Sequence, residues 1–217
     1  MELKHSNDLI ELYGLYNSIK DSITARLDSF KNLFYNACDY EIFREMAFCI
    51  FTPQSSAKSC WQAVLNLESK GLLTDGSPSD IAKEINIVRF RNNKSRYLVE
   101  ARDKFFSKPG FKLFIENYDD KKKLRDHLRA EVKGWGLKES GHFLRNIGFG
   151  QDIAILDRHI LKNMLIYKII DEIPKNLSDK HYYTLEKNLL DFCESIKIPP
   201  DHIDILFWYK QTKEIFK

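Results

Sequence analysis

Residues 119–159 read DDKKKLRDHLRAEVKGWGLKESGHFLRNIGFGQDIAILDRH and carry the clearest local signals in the chain. Asp119 or Asp120 is a typical N-cap for a helix that runs to about Val132. The turn Gly134-Trp135-Gly136 then interrupts the helical pattern, and a second helix begins beyond it. The sequence therefore predicts a hairpin of two helices joined by a two-glycine turn.

This hairpin, over about residues 119–147, has the chemistry of a DNA-backbone contact. Gly134 and Gly136 let backbone N–H groups approach a phosphate closely, and the positive end of the second helix lies behind them. Such contacts hold a nucleic-acid backbone without reading its bases. The acids among the basic residues of the hairpin leave open that this is only a solvated helix face. The basic residues are Lys121, Lys122, Lys123, Arg125, Arg129 and Lys133.

Outside the hairpin the pattern is also helical. Residues 9–27 place apolar side chains at three- and four-residue steps, which indicates one apolar helix face, and Ser6 or Asn7 can cap that helix. A second helix over about Tyr40–Phe51 ends before Pro53. No segment of strand length alternates with period two. We therefore predict an all-α fold.

The composition agrees with a helix-rich globular protein. The chain has 217 residues, of which 43% are apolar and 30% are charged, with only 9 Gly and 6 Pro. This composition excludes collagen-like, disordered and turn-rich all-β chains. Lys and Arg outnumber Asp and Glu by 34 to 31, and the resulting net charge of +3 permits a polyanionic partner without demanding one.

The sequence carries no membrane or secretion signal. No stretch approaches the run of about 20 apolar residues that spans a bilayer, and the N-terminus MELKHSNDLIEL lacks the apolar core of a signal peptide. We therefore expect a cytoplasmic protein that is not secreted and has no membrane partner. The cysteines show no C-x-x-C pair and no clustering, which argues against a zinc or iron–sulfur site; they are Cys38, Cys49, Cys60 and Cys193.

Two residues near the turn set this hairpin apart from an ordinary helix connection. Lys138 stands at the start of the second helix, and Asp157 follows 19 residues later, where it can cap another helix behind the apolar run IAIL. A helix N-terminus and partial burial both disfavour the ammonium form of a lysine, which favours a nucleophilic amine. Alone, such a lysine is more often just solvated, and such an aspartate is more often just an N-cap.

In these segments the chain resembles a known family. VKGWGLKESGHFLRNIG and AILDRHIL, with FCIFTPQSSA and the C-terminal LFWYKQTKEIFK, are similar to segments of the helix-hairpin-helix DNA glycosylases. Within that superfamily the likeness is to the type-2 8-oxoguanine DNA glycosylase/AP lyases of archaea and some bacteria, and it covers nearly the whole chain. The resemblance implies that residues 1–217 form one glycosylase unit of two helical subdomains, with the active site in the cleft between them.

The resemblance also implies a bifunctional enzyme of base excision repair. By motif, Lys138 is the nucleophile and Asp157 is its essential partner. The neutral amine of Lys138 would attack C1′ of the damaged nucleotide and displace the base, leaving a Schiff base that allows β-elimination of the 3′ phosphate. Asp157 would stabilise positive charge on the sugar and help to move protons. One lysine would then give both a DNA N-glycosylase and an abasic-site lyase.

Recognition of the damaged base is implied at the C-terminus. 8-Oxoguanine carries an N7–H donor and an O8 acceptor, and a free α-carboxylate accepts hydrogen bonds from such a donor. In the family the last residue is a lysine whose terminus enters the base pocket, and an aromatic residue nine positions earlier stacks on the base. Here these residues are Lys217 and Trp208. The alternative is that Trp208 packs in the core and that Lys217 is frayed, as most termini are.

Two further candidates for base recognition lie in predicted loops. Phe90, in the basic segment RFRNNKSR, is a candidate for the other face of the base sandwich, and Gln54, in TPQSS, can contact DNA or the base. A loop glutamine is more often solvated and a phenylalanine is more often buried.

The expected partners are double-stranded DNA containing 8-oxoguanine and DNA with an abasic site, bound by a monomer. The reaction requires no metal or organic cofactor, although the hairpin class often binds a monovalent cation through backbone carbonyls. The C-terminal cysteine quartet of the endonuclease III branch is absent from this sequence. Two other interpretations stay open, namely a non-catalytic helix-hairpin-helix DNA-binding module and a glycosylase for another damaged base.

Overall fold

The computed structural model describes residues 2–106 and 110–217, with side chains from residue 7 onwards. Within these ranges all regular secondary structure is helical, which confirms the predicted all-α fold. The helices are α1 Glu2–Asn36, α2 Asp39–Phe51, α3 Ala57–Ser69, α4 Leu72–Asp75, α5 Pro78–Glu84, α6 Arg91–Ala101, α7 Phe111–Glu116, α8 Lys121–Glu131, α9 Leu137–Asn146, α10 Arg158–Ile166, α11 Asp179–Ile196 and α12 Pro200–Thr212. A π-helical turn, Arg102–Phe106, continues α6.

The first helix is longer than the sequence predicts. Helix α1 begins at Glu2, so the expectation that Ser6 or Asn7 caps it is wrong; the Ser6 side chain itself lies outside those described. The residues ahead of Asn7 include no Pro or Gly, and Glu, Leu and Lys are good helix formers, so nothing ends the helix there. The predicted apolar face is confirmed, because residues such as Leu12 and Ile23 are buried.

Two clusters of buried apolar side chains divide the molecule into two helical subdomains. The first cluster is built mainly from α2 to α9, and the second joins α1 to α10, α11 and α12. Helix α9 contributes to both, since Leu137 belongs to the second cluster whereas Phe143 and Leu144 belong to the first. The chain beyond α9 also passes from one to the other, between Ile153 and Ala154. The predicted hairpin therefore lies where the two subdomains meet.

Candidate active site

The helix-hairpin-helix consists of α8, α9 and the turn between them. Asp120 caps α8, as predicted, and accepts hydrogen bonds from the backbone N–H groups of Lys122 and Lys123 at 2.9 and 3.2 Å. Gly134 has a φ of +82°, which L side chains rarely adopt, and a Cβ there would come within 2.8 Å of the Tyr97 ring. The turn therefore requires glycine at position 134.

The second glycine of the turn is bound within the protein. Gly136 is the N-cap of α9, and its N–H donates a hydrogen bond to Oε2 of Glu139 at 3.1 Å. Its carbonyl accepts a hydrogen bond from the Ser140 hydroxyl at 2.7 Å. The Glu139 carboxylate thus accepts the hydrogen bond of the Gly136 amide, which the sequence predicts to contact a DNA phosphate. Contact between Gly136 and a phosphate would require Glu139 to turn away.

Several basic side chains of the hairpin have acidic partners. Arg125 is fully buried and donates a hydrogen bond to Oε1 of Glu186 at 2.6 Å. Two other pairs join the hairpin to neighbouring helices; they are Arg129–Asp179 and Lys133–Glu100. The positive charge that the hairpin presents to DNA is therefore smaller than its number of lysines and arginines indicates.

Lys138 is the second residue of α9. Its side chain is 26% exposed, and its Nζ lies 3.4 Å from Oε1 of Glu139. Lys138 thus lies near the N-terminus of α9, beside an acidic side chain and at the edge of a cleft.

Close packing brings the segment before Asp157 against α9. Gly141 lies three residues beyond Lys138, and a Cβ at Gly141 would come within 2.9 Å of Cγ2 of Ile153. Because Gly141 has no side chain, residues 153–156 can lie directly on the helix that carries Lys138. This contact links the positions of the two predicted catalytic residues.

Asp157 caps α10, as predicted. Its Oδ1 accepts hydrogen bonds from the backbone N–H groups of His159 at 2.7 Å and Ile160 at 2.9 Å. These bonds satisfy the first amides of the helix and fix the orientation of the carboxylate.

A buried ion pair ties the hairpin to the same segment. Oε1 of Glu186, on α11, accepts hydrogen bonds from Arg125 at 2.6 Å and from the Ala154 N–H at 2.9 Å. The Tyr182 hydroxyl, also on α11, donates to the Ala154 carbonyl at 2.6 Å. The backbone just ahead of Asp157 is therefore fixed relative to α8 and α11.

A cleft of about 1040 Å³ is lined by residues from both subdomains. It contains five of the six residues that the sequence predicts for catalysis or base recognition. They are Gln54, Lys138, Asp157, Trp208 and Lys217. These residues come from separate helices, a loop and the C-terminal tail, so the fold assembles the predicted site from distant parts of the chain.

Phe90 is not one of the described residues that line this cleft, although its neighbour Arg89 is. Phe90 is 54% exposed and has a φ of +58°, and Gln54 has a φ of +56°. The loops that carry them are joined, because Ser55 Oγ accepts hydrogen bonds from the Arg89 N–H and from Lys94 Nζ, both at 3.0 Å. A left-handed backbone at a non-glycine residue costs about 1 to 3 kcal/mol and persists only where the surroundings enforce it.

The C-terminal residues of the predicted site, Trp208 and Lys217, both contact other side chains of the protein. Trp208 is half-buried, and its ring forms a T-shaped contact with the His159 ring at a centroid distance of 5.0 Å. Within the described part of the chain its indole N–H has no hydrogen-bond partner. The Lys217 ammonium forms an ion pair with the buried Glu45, so this side chain points into the protein.

Sequence reasoning missed several polar residues of the cleft, and three of them are buried and titratable; they are His142, Arg145 and Asp204. His142 is 7% exposed, and neither ring nitrogen has a hydrogen-bond partner among the described residues. Burial holds the pKa of His142 well below its usual value, and the charges of Arg145 and Lys138 add to this effect, so the imidazole is neutral. Burial raises the pKa of Asp204 to about 6, against the opposing charge of Arg145, whose Nε lies 3.3 Å away.

Helix periodicity was the signal that could have found two of these residues. His142 follows Lys138 by four residues, and Asp204 precedes Trp208 by four. Residues four apart lie on the same face of a helix, one turn from each other. If Lys138 and Trp208 face a cleft, His142 and Asp204 should therefore face the same cleft.

Over residues 2–106 and 110–217, no group of three His, Cys, Asp or Glu side chains is placed to hold a metal ion. No helix in these ranges is long and apolar enough to cross a membrane.

Sequence comparison relates the chain to one family along most of its length. The family model for 8-oxoguanine DNA glycosylase matches residues 23–198. The 8-oxoguanine DNA glycosylase/AP lyase of Fusobacterium nucleatum is 42% identical over 217 residues, which cover 99% of this chain and 100% of that protein. The protein of the same name from Methanocaldococcus jannaschii is 35% identical over 202 residues, 93% of this chain and 94% of its own.

Solved structures with the same fold agree. The 8-oxoguanine DNA glycosylase of Thermotoga maritima gives a TM-score of 0.87 at 30% identity, over 98% of this chain and 100% of that one. The M. jannaschii 8-oxoguanine glycosylase/lyase, in complex with 15mer DNA containing 8-oxoguanine, gives a TM-score of 0.87 at 32% identity over 100% of both chains. The chain therefore belongs to the 8-oxoguanine DNA glycosylase family.

Proposed function

We propose that this protein excises 8-oxoguanine from double-stranded DNA and then cleaves the strand at the abasic site. The observation that carries this proposal is a single cleft. It holds a candidate nucleophile with a carboxylate partner, and also an aromatic ring and a chain terminus that can bind the damaged base. The four residues are Lys138, Asp157, Trp208 and Lys217. The family membership of the chain supports the same reaction.

Lys138 supplies the nucleophile. Once it has lost a proton, its Nζ forms a bond to C1′ while the bond between C1′ and N9 breaks, and the base leaves with that electron pair and takes up a proton. Opening of the sugar gives a Schiff base, and loss of a C2′ proton then expels the 3′ phosphate. A side chain that is only 26% exposed at the edge of a cleft is suited to this role, because bound DNA would exclude the remaining water.

Asp157 assists both steps. Its carboxylate lines the same cleft and is oriented by its hydrogen bonds to the start of α10. A fixed negative charge beside C1′ stabilises the positive charge that develops as the base departs, and the same carboxylate can carry the protons exchanged in the elimination.

We assign base recognition to the C-terminal side of the cleft. Trp208 stacks on the flipped base, and the terminal α-carboxylate of Lys217 accepts a hydrogen bond from N7–H, which guanine lacks. Gln54 contacts the base or the DNA from the opposite loop. Phe90 is exposed beside the cleft, so stacking on the other face of the base requires its ring to turn inward when DNA binds.

We further propose that the whole chain acts as one unit, because both subdomains contribute residues to the cleft. We propose that it acts as a monomer, because a single chain supplies the catalytic and base-recognition residues of that cleft. Gly134 and Gly136 would hold the DNA backbone at the hairpin, and a monovalent cation there stays a prediction. The lysine and aspartate chemistry uses only groups of the chain itself. Because its substrate is genomic DNA, the protein would act at the nucleoid in the cytoplasm.

Covalent trapping tests the proposed function. Borohydride should reduce the Schiff base and give a stable protein–DNA adduct with duplex that carries 8-oxoguanine, tested opposite each of the four bases in turn, while undamaged duplex gives none. Free 8-oxoguanine should be released in parallel reactions without borohydride. Binding without an adduct would indicate a DNA-binding module, and an adduct only with another lesion would indicate a different glycosylase; either result contradicts the proposal.

Extending the chain beyond Lys217 should impair base recognition selectively. One added glycine moves the α-carboxylate and leaves N7–H unpaired, which should reduce excision of 8-oxoguanine by about tenfold or more. Cleavage of a preformed abasic site should not change, since no base is read there. The same glycine added at the N-terminus is the control, and equal losses in both reactions would argue against the assigned carboxylate.

A further inference from the structure

We propose that Glu45 is a positioning residue for base recognition, which binds the Lys217 side chain and thereby fixes the terminal carboxylate in the cleft. This inference rests on the proposed function and adds a determinant of its specificity. It starts from a buried carboxylate on α2 that takes no part in the chemistry at C1′.

Both oxygens of the Glu45 carboxylate have partners although the residue is only 1% exposed. Oε1 accepts a hydrogen bond from the Lys217 ammonium, and Oε2 accepts one from Nδ2 of Asn146 at 3.1 Å. Asn146 is itself fully buried at the end of α9. A carboxylate withdrawn from water in this way depends on its cationic partner, so the site is specific for a positive charge.

Aromatic rings enclose the same ammonium. Nζ of Lys217 lies 3.9 Å from the centroid of the Trp61 ring and 5.7 Å from that of Phe48. The side chain is only 11% exposed. Burial lowers the pKa of Lys217, and the Glu45 carboxylate opposes this effect. A carboxylate and two ring faces around one cation form a cage that holds the end of the chain in a defined place.

The tail reaches this cage by crossing between the subdomains. Ile215 packs against the second apolar cluster and Phe216 packs against the first. The main-chain end of Lys217 then comes beside the buried His142 imidazole, which also lines the cleft. The side chain of Lys217 is therefore anchored in one subdomain, while its main-chain end lies at the cleft.

A positioning role and a purely structural role predict different results. An ion pair that only stabilises the fold would affect every activity of the protein alike. An anchor for the terminal carboxylate affects the excision of 8-oxoguanine, but it does not affect the cleavage of a preformed abasic site, where no base is present to be read.

The experiment compares Glu45→Gln, Lys217→Met and the double variant in the full-length protein. Each single variant should lower kcat/KM for excision from an 8-oxoguanine duplex by about 30-fold, because one partner of a buried charge pair is lost. The rate of cleavage of a preformed abasic duplex should not change. Lys217→Met keeps a terminal carboxylate and changes only the last side chain, so it tests the anchor even if Glu45→Gln folds poorly. The double variant should be no worse than the worse single variant, since both remove the same contact.

The matched control breaks an ion pair that lies outside the cleft. Lys70 and Glu84 are joined at 2.7 Å on the protein surface, where such a pair contributes little, so Glu84→Gln should excise 8-oxoguanine like the wild type. The proposal is overturned if the single variants excise normally, if excision and abasic-site cleavage fall in parallel, or if the losses add in the double variant. Failure of the wild-type protein to release 8-oxoguanine would instead refute the proposed function itself.

Discussion

Lys138→Gln is expected to abolish both the release of 8-oxoguanine and the cleavage of the strand, with each rate falling by about a thousandfold or more. Glutamine is similar in length, but its amide nitrogen is not basic and can neither attack C1′ nor form a Schiff base. Because one nitrogen serves both reactions in the proposed mechanism, the two activities should disappear together. The replaced side chain is partly exposed near the start of α9, so the variant should fold normally.

The measurements are single-turnover excision from an 8-oxoguanine duplex, cleavage of a preformed abasic duplex, and binding to both by fluorescence anisotropy. Binding should persist, because the hairpin and the base-recognition residues are unchanged. Lys187→Gln is the control, since Lys187 is an exposed lysine on α11 and should be dispensable for every reaction. Excision that survives in Lys138→Gln would show that another group is the nucleophile.

Local sequence signals suffice to predict the hairpin, the N-cap of its first helix and the N-cap of α10. Asp120 and Asp157 each accept hydrogen bonds from amides two and three residues ahead, as an N-cap does. Such geometry depends on a few consecutive residues, so a single sequence reveals it. Where the local signals are weak, as at Ser6 and Asn7, the predicted boundary is wrong by several residues.

Contacts between distant segments leave no comparable signal. Glu45 and Lys217 are 172 positions apart, and Arg125 and Glu186 are 61 apart. Nothing in the sequence says which carboxylate meets which cation, because the pairing follows from how the subdomains pack. The resemblance to a family implies a role for Lys217, but it does not indicate that Glu45 is the partner of its side chain; the structure shows that pairing.

Because packing is not visible in the sequence, the number of basic residues in a segment also overstates the positive charge that the segment presents to DNA. Lys94 lies in the basic segment after Phe90, yet it is buried and donates hydrogen bonds to the carbonyls of Phe51 and Pro53 at 2.6 and 2.8 Å. Burial lowers the pKa of Lys94 to about 8. Like the buried Arg125 of the hairpin, it holds the scaffold around the cleft and is shielded from DNA.

Asp157→Asn is expected to reduce excision by about a hundredfold or more while leaving the fold intact. Asparagine has the same shape and is as good an N-cap as aspartate, so the bonds to His159 and Ile160 can be retained. What the substitution removes is the negative charge that we propose acts beside C1′, together with the capacity to carry a proton. Single-turnover excision and thermal unfolding, measured on the same preparations, separate these two contributions.

A series at this position distinguishes a catalyst from a cap. Asp157→Ser keeps a capping oxygen without the charge, and Asp157→Ala removes both, so only the alanine variant should lose stability, by about 1 kcal/mol. If the carboxylate is catalytic, all three variants lose excision to a similar extent, whether or not α10 stays capped. If Asp157 only caps, excision follows stability, and the asparagine and serine variants remain as active as the wild type. The carboxylate's place in the cleft with Lys138, and not only at the end of a helix, leads us to expect the first pattern.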